Sequence, residues 1–311
     1  MSKSAIYFTK VAAAAGSGNA VLAGHMIGET NDPTFTRFFL SKSDNKWGLI
    51  GDLRGDIVYS LIALPSISVI GKTDMYALGR GGTLRIRKAN EPEHDLHVPV
   101  KDQTYLEGMC ITSNCLYVCG GQNQVFRYKN KKWSLIGTGL YTPFNGKTVG
   151  PTLFSIAQIS EGVLLATGSQ GQIIRLDADD RWEKIDSGVH VNLHFLLPDG
   201  LGGAWIAGDQ GTLLHLAANG KKLNSFSNPK ISIENFESLA LFQGDLYIAA
   251  NSKLLVLNSS KELMIVNGPF KRDSEFHCVC ASDSYLWATG DQNVYRFAPD
   301  GWRHLLCPDN E

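Results

Sequence analysis

What this chain of 311 residues lacks narrows its reading first. No run of eighteen consecutive apolar residues occurs, so no segment reads as a membrane-spanning helix. Neither charge predominates: 29 Lys and Arg stand against 30 Asp and Glu, a net charge of −1, and no basic cluster extends beyond a few residues. Non-specific binding to nucleic acid or to an acidic membrane wants a basic surface, and none is offered. Only six cysteines are present, Cys110, Cys115, Cys119, Cys278, Cys280 and Cys307. They lie mainly in strand-like runs without a Cys-x-x-Cys pair, the pattern of reduced, partly buried thiols in a cytoplasmic protein. The chain carries no Gly-Lys-Ser/Thr phosphate loop, no G-x-S-x-G elbow and no HExxH. Its apolar runs are four to seven residues long, too short for a helix with a core-facing stripe.

What is abundant is punctuation. Glycine reaches 32 residues, and Gly, Asp and Asn stand at nearly every break between short aliphatic runs. The stretch 151–187 is the cleanest unit, with strands expected at 153–159, 163–167, 172–176 and 181–185. A small residue closes its second strand at Thr167-Gly168. The same anchor recurs at Ala23-Gly24, Leu78-Gly79, Cys119-Gly120, Ala207-Gly208, Ala249-Ala250 and Thr289-Gly290. Seven four-strand units at a spacing of about 40 to 50 residues are the signature of a β-propeller, in which each sheet buries its faces against its neighbours. The expectation is therefore an all-β, seven-bladed propeller, four antiparallel strands per blade, filling 1–311 as one domain. Its blades fall at about 5–53, 56–99, 105–139, 151–187, 191–226, 235–266 and 275–307. The Ala-rich start of the chain is broken by Thr9 and Lys10 and aligns with the first strand of later units, so it belongs to the fold and not to a leader.

Counting back about thirteen residues from the anchors places Glu107, Ser155, His194, Glu237 and His277 at the start of successive first strands, with Lys10 and Ser60 by looser alignment. They would form a mixed polar ring at one mouth of a central channel. A recurring amide, Gln122, Gln170, Gln210 and Gln292, stands in the neighbouring turns. Glu107, Glu237, His194 and His277 either converge on a ligand, a metal or a charged residue of a partner protein or are solvated mouth residues, the glutamines then being turn formers chosen by backbone geometry. Two long connections, 24–36 and 140–151, offer Phe35, Tyr141 and Phe144 as aromatic anchors. Arg85 and Arg87 share a strand face and read as a solvated surface. Trp47, Trp133, Trp182 and Trp302 open the last strand of their units and read as packing between blades. No metal site, no cofactor and no catalytic set is expected.

With their GxxG turns and the Lys/Arg-Trp starts of their last strands, the repeats resemble bacterial propellers of the sialidase, tryptophan-aspartate and photosystem-assembly-factor group. The sialidase aspartate box is not intact, since SKSDNKW at 41–47 keeps an Asp and a Trp but not the Gly or the spacing. In overall character the chain is also similar to the propeller-type immunity proteins that bacteria encode beside secreted antibacterial toxins. That resemblance implies a cytoplasmic monomer that binds and neutralises a cognate toxin, without nucleic acid or membrane as partner. An assembly scaffold and a glycan-binding or glycan-cleaving propeller are the alternatives, Glu107 with Glu237 being the carboxylate pair available to the latter.

Overall fold

A computed structural model describes residues 5–14, 18–27, 35–42, 46–66, 73–137, 139–147, 149–177, 181–218, 220 and 222–310. It contains seven four-stranded antiparallel sheets, each taking its strands in chain order from one contiguous stretch. Blade one runs from Ala5–Ala13 to Trp47–Leu53, blade two from Val58–Pro65 to His94–His97, and blade three from Leu106–Ile111 to Lys132–Leu135. Blade four runs from Leu153–Ser160 to Trp182–Ile185, blade five from Leu193–Pro198 to Leu223–Ser225, blade six from Ser238–Phe242 to Leu263–Ile265, and blade seven from Cys278–Ala281 to Gly301–Leu305. The chain is a seven-bladed β-propeller.

Second strands explain why the apolar runs read as they do. Ala204–Gly208 and Leu286–Gly290 are buried at every position, because such a strand is covered on both faces by adjoining sheets and has no solvent side to alternate with. The anchor glycines that close these strands are required by close backbone approach. A Cβ on Gly120 would stand 2.1 Å from the carbonyl oxygen of Tyr105, on Gly168 2.2 Å from that of Thr152, on Gly208 2.2 Å from that of Asn192, and on Gly290 1.9 Å from that of Glu275. In each case the carbonyl belongs to the residue leading into the first strand of the same blade.

Contacts divide the chain into two compact units, Met1–Gly79 with Thr83–Leu96 and Leu239–Glu311, and Arg80–Gly82 with His97–Ser238. In the first unit, blade seven packs on blade one through Ile6, Phe8, Val11, Cys278, Trp287 and Val294. The Ala13 amide donates to Cys280 Sγ at 3.1 Å, and the Asn310 side chain accepts from the Ile6 amide at 2.8 Å and donates to the Ile6 carbonyl at 3.1 Å. Face packing joins these two blades, with no strand exchanged between them. In the second unit, one apolar cluster joins blades three and four (Cys119, Val125, Leu153, Ile156, Ala166, Ile174) and another joins blades four and five (Leu165, Ile173, Leu193, Ile206, Leu214).

Three of the tryptophans that open last strands pack toward a neighbouring blade as expected, whereas Trp133 lies against Tyr128 of its own blade, 4.9 Å between ring centroids. Trp47 lies against Phe8 and Phe39, Trp302 against Phe270 and Phe297, and the Trp182 indole N–H reaches across from blade four to the Ile136 carbonyl at 2.9 Å. Arg85 departs from the solvated-face reading. Its guanidinium is bidentate on Asp95 at 2.8 Å and lies 3.3 Å from Glu93, so it joins the third strand of blade two to the fourth. All six cysteines are free thiols, and desolvation holds Cys110 up to about 11 and Cys280 up to about 12.

The close approach at the anchors predicts a sharp contrast between glycines of the second unit. Gly168→Ala drives a methyl group into the Thr152 carbonyl and is expected to destabilise the fold by about 1–3 kcal/mol. Gly139→Ala meets nothing within 4 Å and is expected to change stability by less than about 0.5 kcal/mol. Urea unfolding of the two variants decides the matter, and equal midpoints would show that the anchor is not sterically enforced.

Candidate functional site

The first strands of blades one to five share one irregularity. In blade five Leu193 pairs with Gly208 and Phe195 with Ala207, so His194 is an extra residue set between two paired ones. The same shift leaves Phe154 unpaired in blade four, Glu107 in blade three, Tyr59 in blade two and Thr9 in blade one. Glu237 and His277 follow Phe236 and Phe276, whose amides donate to Gly208 and Asn251 of the preceding blades. A β-bulge of this kind re-aims one side chain away from the pleat. It also corrects the sequence alignment. Glu107 and His194 hold the bulge, Glu237 and His277 stand just before the first strands of blades six and seven, and Ser155, Ser60 and Lys10 each stand one residue beyond the bulge, so the places expected for them belong to Phe154, Tyr59 and Thr9. The extra residue of a bulge is invisible to a count that assumes an unbroken period of two.

The glutamine turns are explained by backbone geometry. Gln122, Gln170 and Gln210 have φ of 62°, 57° and 58°, and each is followed by a residue also in the left-handed region. That residue's amide, from Asn123, Gly171 or Gly211, donates to the carbonyl of Pro151, Val191 or Glu234 ahead of the next blade's first strand, at 2.9, 2.6 and 2.7 Å. The turns therefore stitch blade to blade through main-chain bonds. Gln170 and Gln210 point into solvent, and their own amides donate to Asn192 and Asn235 side chains. In blade seven the turn is one residue shorter, so Asp291 takes the positive φ and Gln292 reaches Tyr7 at 3.3 Å.

Gln122 differs from its counterparts. It is 3% exposed and lines a cavity of about 660 Å³ at this end of the second unit, together with Arg80, Tyr105, Glu107, Phe144, Val149 and Phe154. The cavity owes one wall to the connection after blade three. Asp102 ties that connection down by accepting from the Tyr141 hydroxyl and from the Phe144 amide, the latter at 3.2 Å. Phe144 and Tyr105 are left 48% and 50% exposed, while the Arg80 guanidinium lies over the Tyr105 ring, 3.7 Å from its centroid. Exposed rings on a tethered wall are the usual anchors of a binding surface. In the adjoining blade, His194 Nε2 is 2.6 Å from the Asp209 carboxylate and its ring stands 5.1 Å from that of Phe154. Phe35, expected as an anchor on the first long connection, is instead 2% exposed beneath the guanidinium groups of Arg37 and Arg54, so its ring is unavailable to a partner. Residues 28–34 of that connection lie outside the described residues.

A separate cluster lies in the first unit. His277 Nε2 is 3.5 Å from Glu275 and 3.6 Å from Asp291, and one ligand atom from each of the three lies within 4.8 Å of the others. Such spacing suits three ligands of a divalent cation, and the Asp291 backbone is fixed by its carbonyl, which accepts from the Phe8 amide at 2.6 Å. Sequence reasoning placed His277 but neither carboxylate, because Glu275 is two residues before it and Asp291 is on the neighbouring strand's turn.

No known sequence family and no curated protein matches the chain. Solved structures do resemble it. The virginiamycin B lyase of Staphylococcus aureus, as a catalytically inactive histidine-to-alanine variant with quinupristin, aligns with a TM-score of 0.66 and 12% identity over 94% of each chain. PorZ, a surface component of the type-IX secretion system of Porphyromonas gingivalis, aligns with 0.64 and 11% over 98% of this chain and 38% of its own. Ycf48 bound to a D1 peptide aligns with 0.57 and 12% over 74% and 77%. What they share is the propeller. At such identities the likeness extends to the fold alone, and the roles named are of different kinds.

The tether at Asp102 carries a pH dependence. Hydrogen bonds from Tyr141 and Phe144 stabilise the ionised carboxylate and hold its pKa below the ordinary 3.8, while the Tyr141 phenol is raised above 10.0 because its hydroxyl proton is held in the hydrogen bond to Asp102. For a depressed carboxylate the contribution is present above the ordinary value and lost as pH falls through the lower folded one. The amide resonance of Phe144 should therefore titrate with a midpoint below 3.8 in an NMR series, and Asp102→Asn should abolish that titration. A midpoint at or above 3.8 would remove the tether.

Proposed function

We propose that this chain is a non-enzymatic, protein-binding propeller that receives its partner at the bulge-and-turn end of blades three to five. The observation that carries the reading is the cavity walled by the tethered connection, with Tyr105 and Phe144 left about half exposed on a rigid sheet scaffold. Lone exposed apolar residues are ordinary, but two aromatics flanking one concavity beside Glu107 and Gln122 make a shape that a protruding side chain of a partner can fill. A solved propeller with a bound peptide, Ycf48 with its D1 peptide, is a precedent for such use of the fold. In its narrowest form the partner is a secreted antibacterial toxin that this chain neutralises in the cytoplasm as an immunity protein.

A tagged chain at native expression, recovered from its own cells and read by mass spectrometry, should bring down one stoichiometric protein. Phe144→Ala should weaken that complex about tenfold, as loss of an aromatic anchor does, with stability changed by less than about 0.5 kcal/mol. Toxicity of the partner when expressed alone, relieved by this chain, would establish the narrowest form. Many substoichiometric partners, or none, would remove the reading.

A second reading is favoured by the Glu275, His277 and Asp291 cluster. A divalent cation held there would polarise a substrate, and a lyase is among the propellers that resemble this chain. Calorimetric titration with Mg²⁺ and Mn²⁺ separates the two readings. Saturable binding abolished by His277→Ala favours the enzyme, and its absence in the native chain removes it.

A further inference from the structure

Among the described residues only two aromatic side chains are exposed, and both are in one place. Tyr105 and Phe144 each line the cavity of the second unit. Val149, 78% exposed on the same connection as Phe144, and Phe154, from the first strand of blade four, complete an apolar wall. The wall is held in place. The Arg80 guanidinium lies over the Tyr105 ring, 3.7 Å from its centroid, and the Phe144 amide donates to Asp102 at 3.2 Å.

The charges of the wall select against a charged ligand. Arg80, Asp102 and Glu107 are the charged residues that line the cavity, and each already has a partner. Asp102 accepts from the Tyr141 hydroxyl and the Phe144 amide, Arg80 lies on Tyr105, and Glu107 is likewise engaged. Lys147, on the walling connection, does not line the cavity, and Lys101 lies over the Tyr141 ring. A charged side chain entering here would leave water without meeting an unpaired opposite charge, and nothing in the wall offsets that loss. An aromatic side chain is driven out of water and meets three rings at once.

Resting on the reading of this end as the partner surface, we propose that the cavity receives an uncharged aromatic side chain of the partner protein, a tryptophan, packed against Tyr105, Phe144 and Phe154. A volume of about 660 Å³ has room for an indole with the main chain that bears it, and Gln103, Thr104 and Thr152 bring uncharged acceptors to the same wall for the indole N–H.

The test uses the whole chain, isotope-labelled, and the N-acetyl amides of tryptophan, leucine, arginine and glutamate, with backbone amide resonances followed by NMR. The tryptophan amide should saturate with a dissociation constant on the order of 1 mM, the scale of a one-residue ligand, and should shift Tyr105, Phe144, Val149 and Phe154 most. The other three amides should each bind at least about fivefold more weakly. Phe144→Ala should weaken tryptophan binding about tenfold. Leu201→Ala, which removes an 83% exposed apolar side chain from the hairpin between the first two strands of blade five, should leave it unchanged, and both variants should melt with the native chain. No saturation, shifts concentrated away from the cavity, another amide binding as tightly as tryptophan, or indifference to Phe144→Ala would overturn the proposal. The partner recovered from cells distinguishes the two levels. A stoichiometric complex weakened by Phe144→Ala but not displaced by saturating tryptophan amide overturns the aromatic proposal and leaves the binding module standing, whereas no complex at all removes the module.

Discussion

Blades three, four, five and seven depend on a close approach between two pieces of backbone. At the end of the second strand, the chain leading into the first strand passes so near that only a hydrogen fits between Gly168 Cα and the Thr152 carbonyl, or between Gly208 Cα and that of Asn192. The next amide in the turn then reaches the same carbonyl, Ser169 to Thr152 at 2.8 Å and Asp209 to Asn192 at 2.9 Å. One residue further into the first strand comes the bulge, and one or two further into the turn come the left-handed residues whose amides bond the following blade. Steric contact, bulge and turn are thus one device repeated along the chain. It fixes where a blade's non-pleated side chain emerges.

That device also separates what is structural from what is free to serve function. The turn residues spend their conformational freedom and main-chain amides on joining blades, so the exposed Gln170 and Gln210 are consequences of a backbone requirement. The bulge residues carry no such duty, and their identities vary from Thr9 and Tyr59 through Glu107 and Phe154 to His194. This chain carries two chemically different places, an aromatic-walled cavity in one unit and a carboxylate-imidazole cluster in the other.

Much of the architecture was legible in the order of residues. Short apolar runs, small-residue anchors and glycine-rich turns recur at a nearly constant interval, and each follows from local physics: strand length, close approach and positive φ. Glu107 and His194 were reached by that periodicity as bulge residues, and Glu237 and His277 as the residues just before the first strands of blades six and seven. Ser155 was not, because a shift of one residue exchanges the side chain that emerges for the one beside it. Phe35 looked like a loop anchor by composition, yet two guanidinium groups cover its ring, and neither Arg37 nor Arg54 announces that geometry along the chain.

The sequence by itself determined the number of blades, their strands and the residue types that close them, since all of these rest on contacts within about forty residues. Tertiary structure alone decided which side chains share a space. Arg80 meets Tyr105 from the turn of a different blade, Asp102 meets Tyr141 and Phe144 across some forty positions, and Glu275 and His277 meet Asp291 across a strand pairing. Those meetings are set by how sheets pack and where turns cross, and a linear pattern of apolar and polar residues carries no term for either.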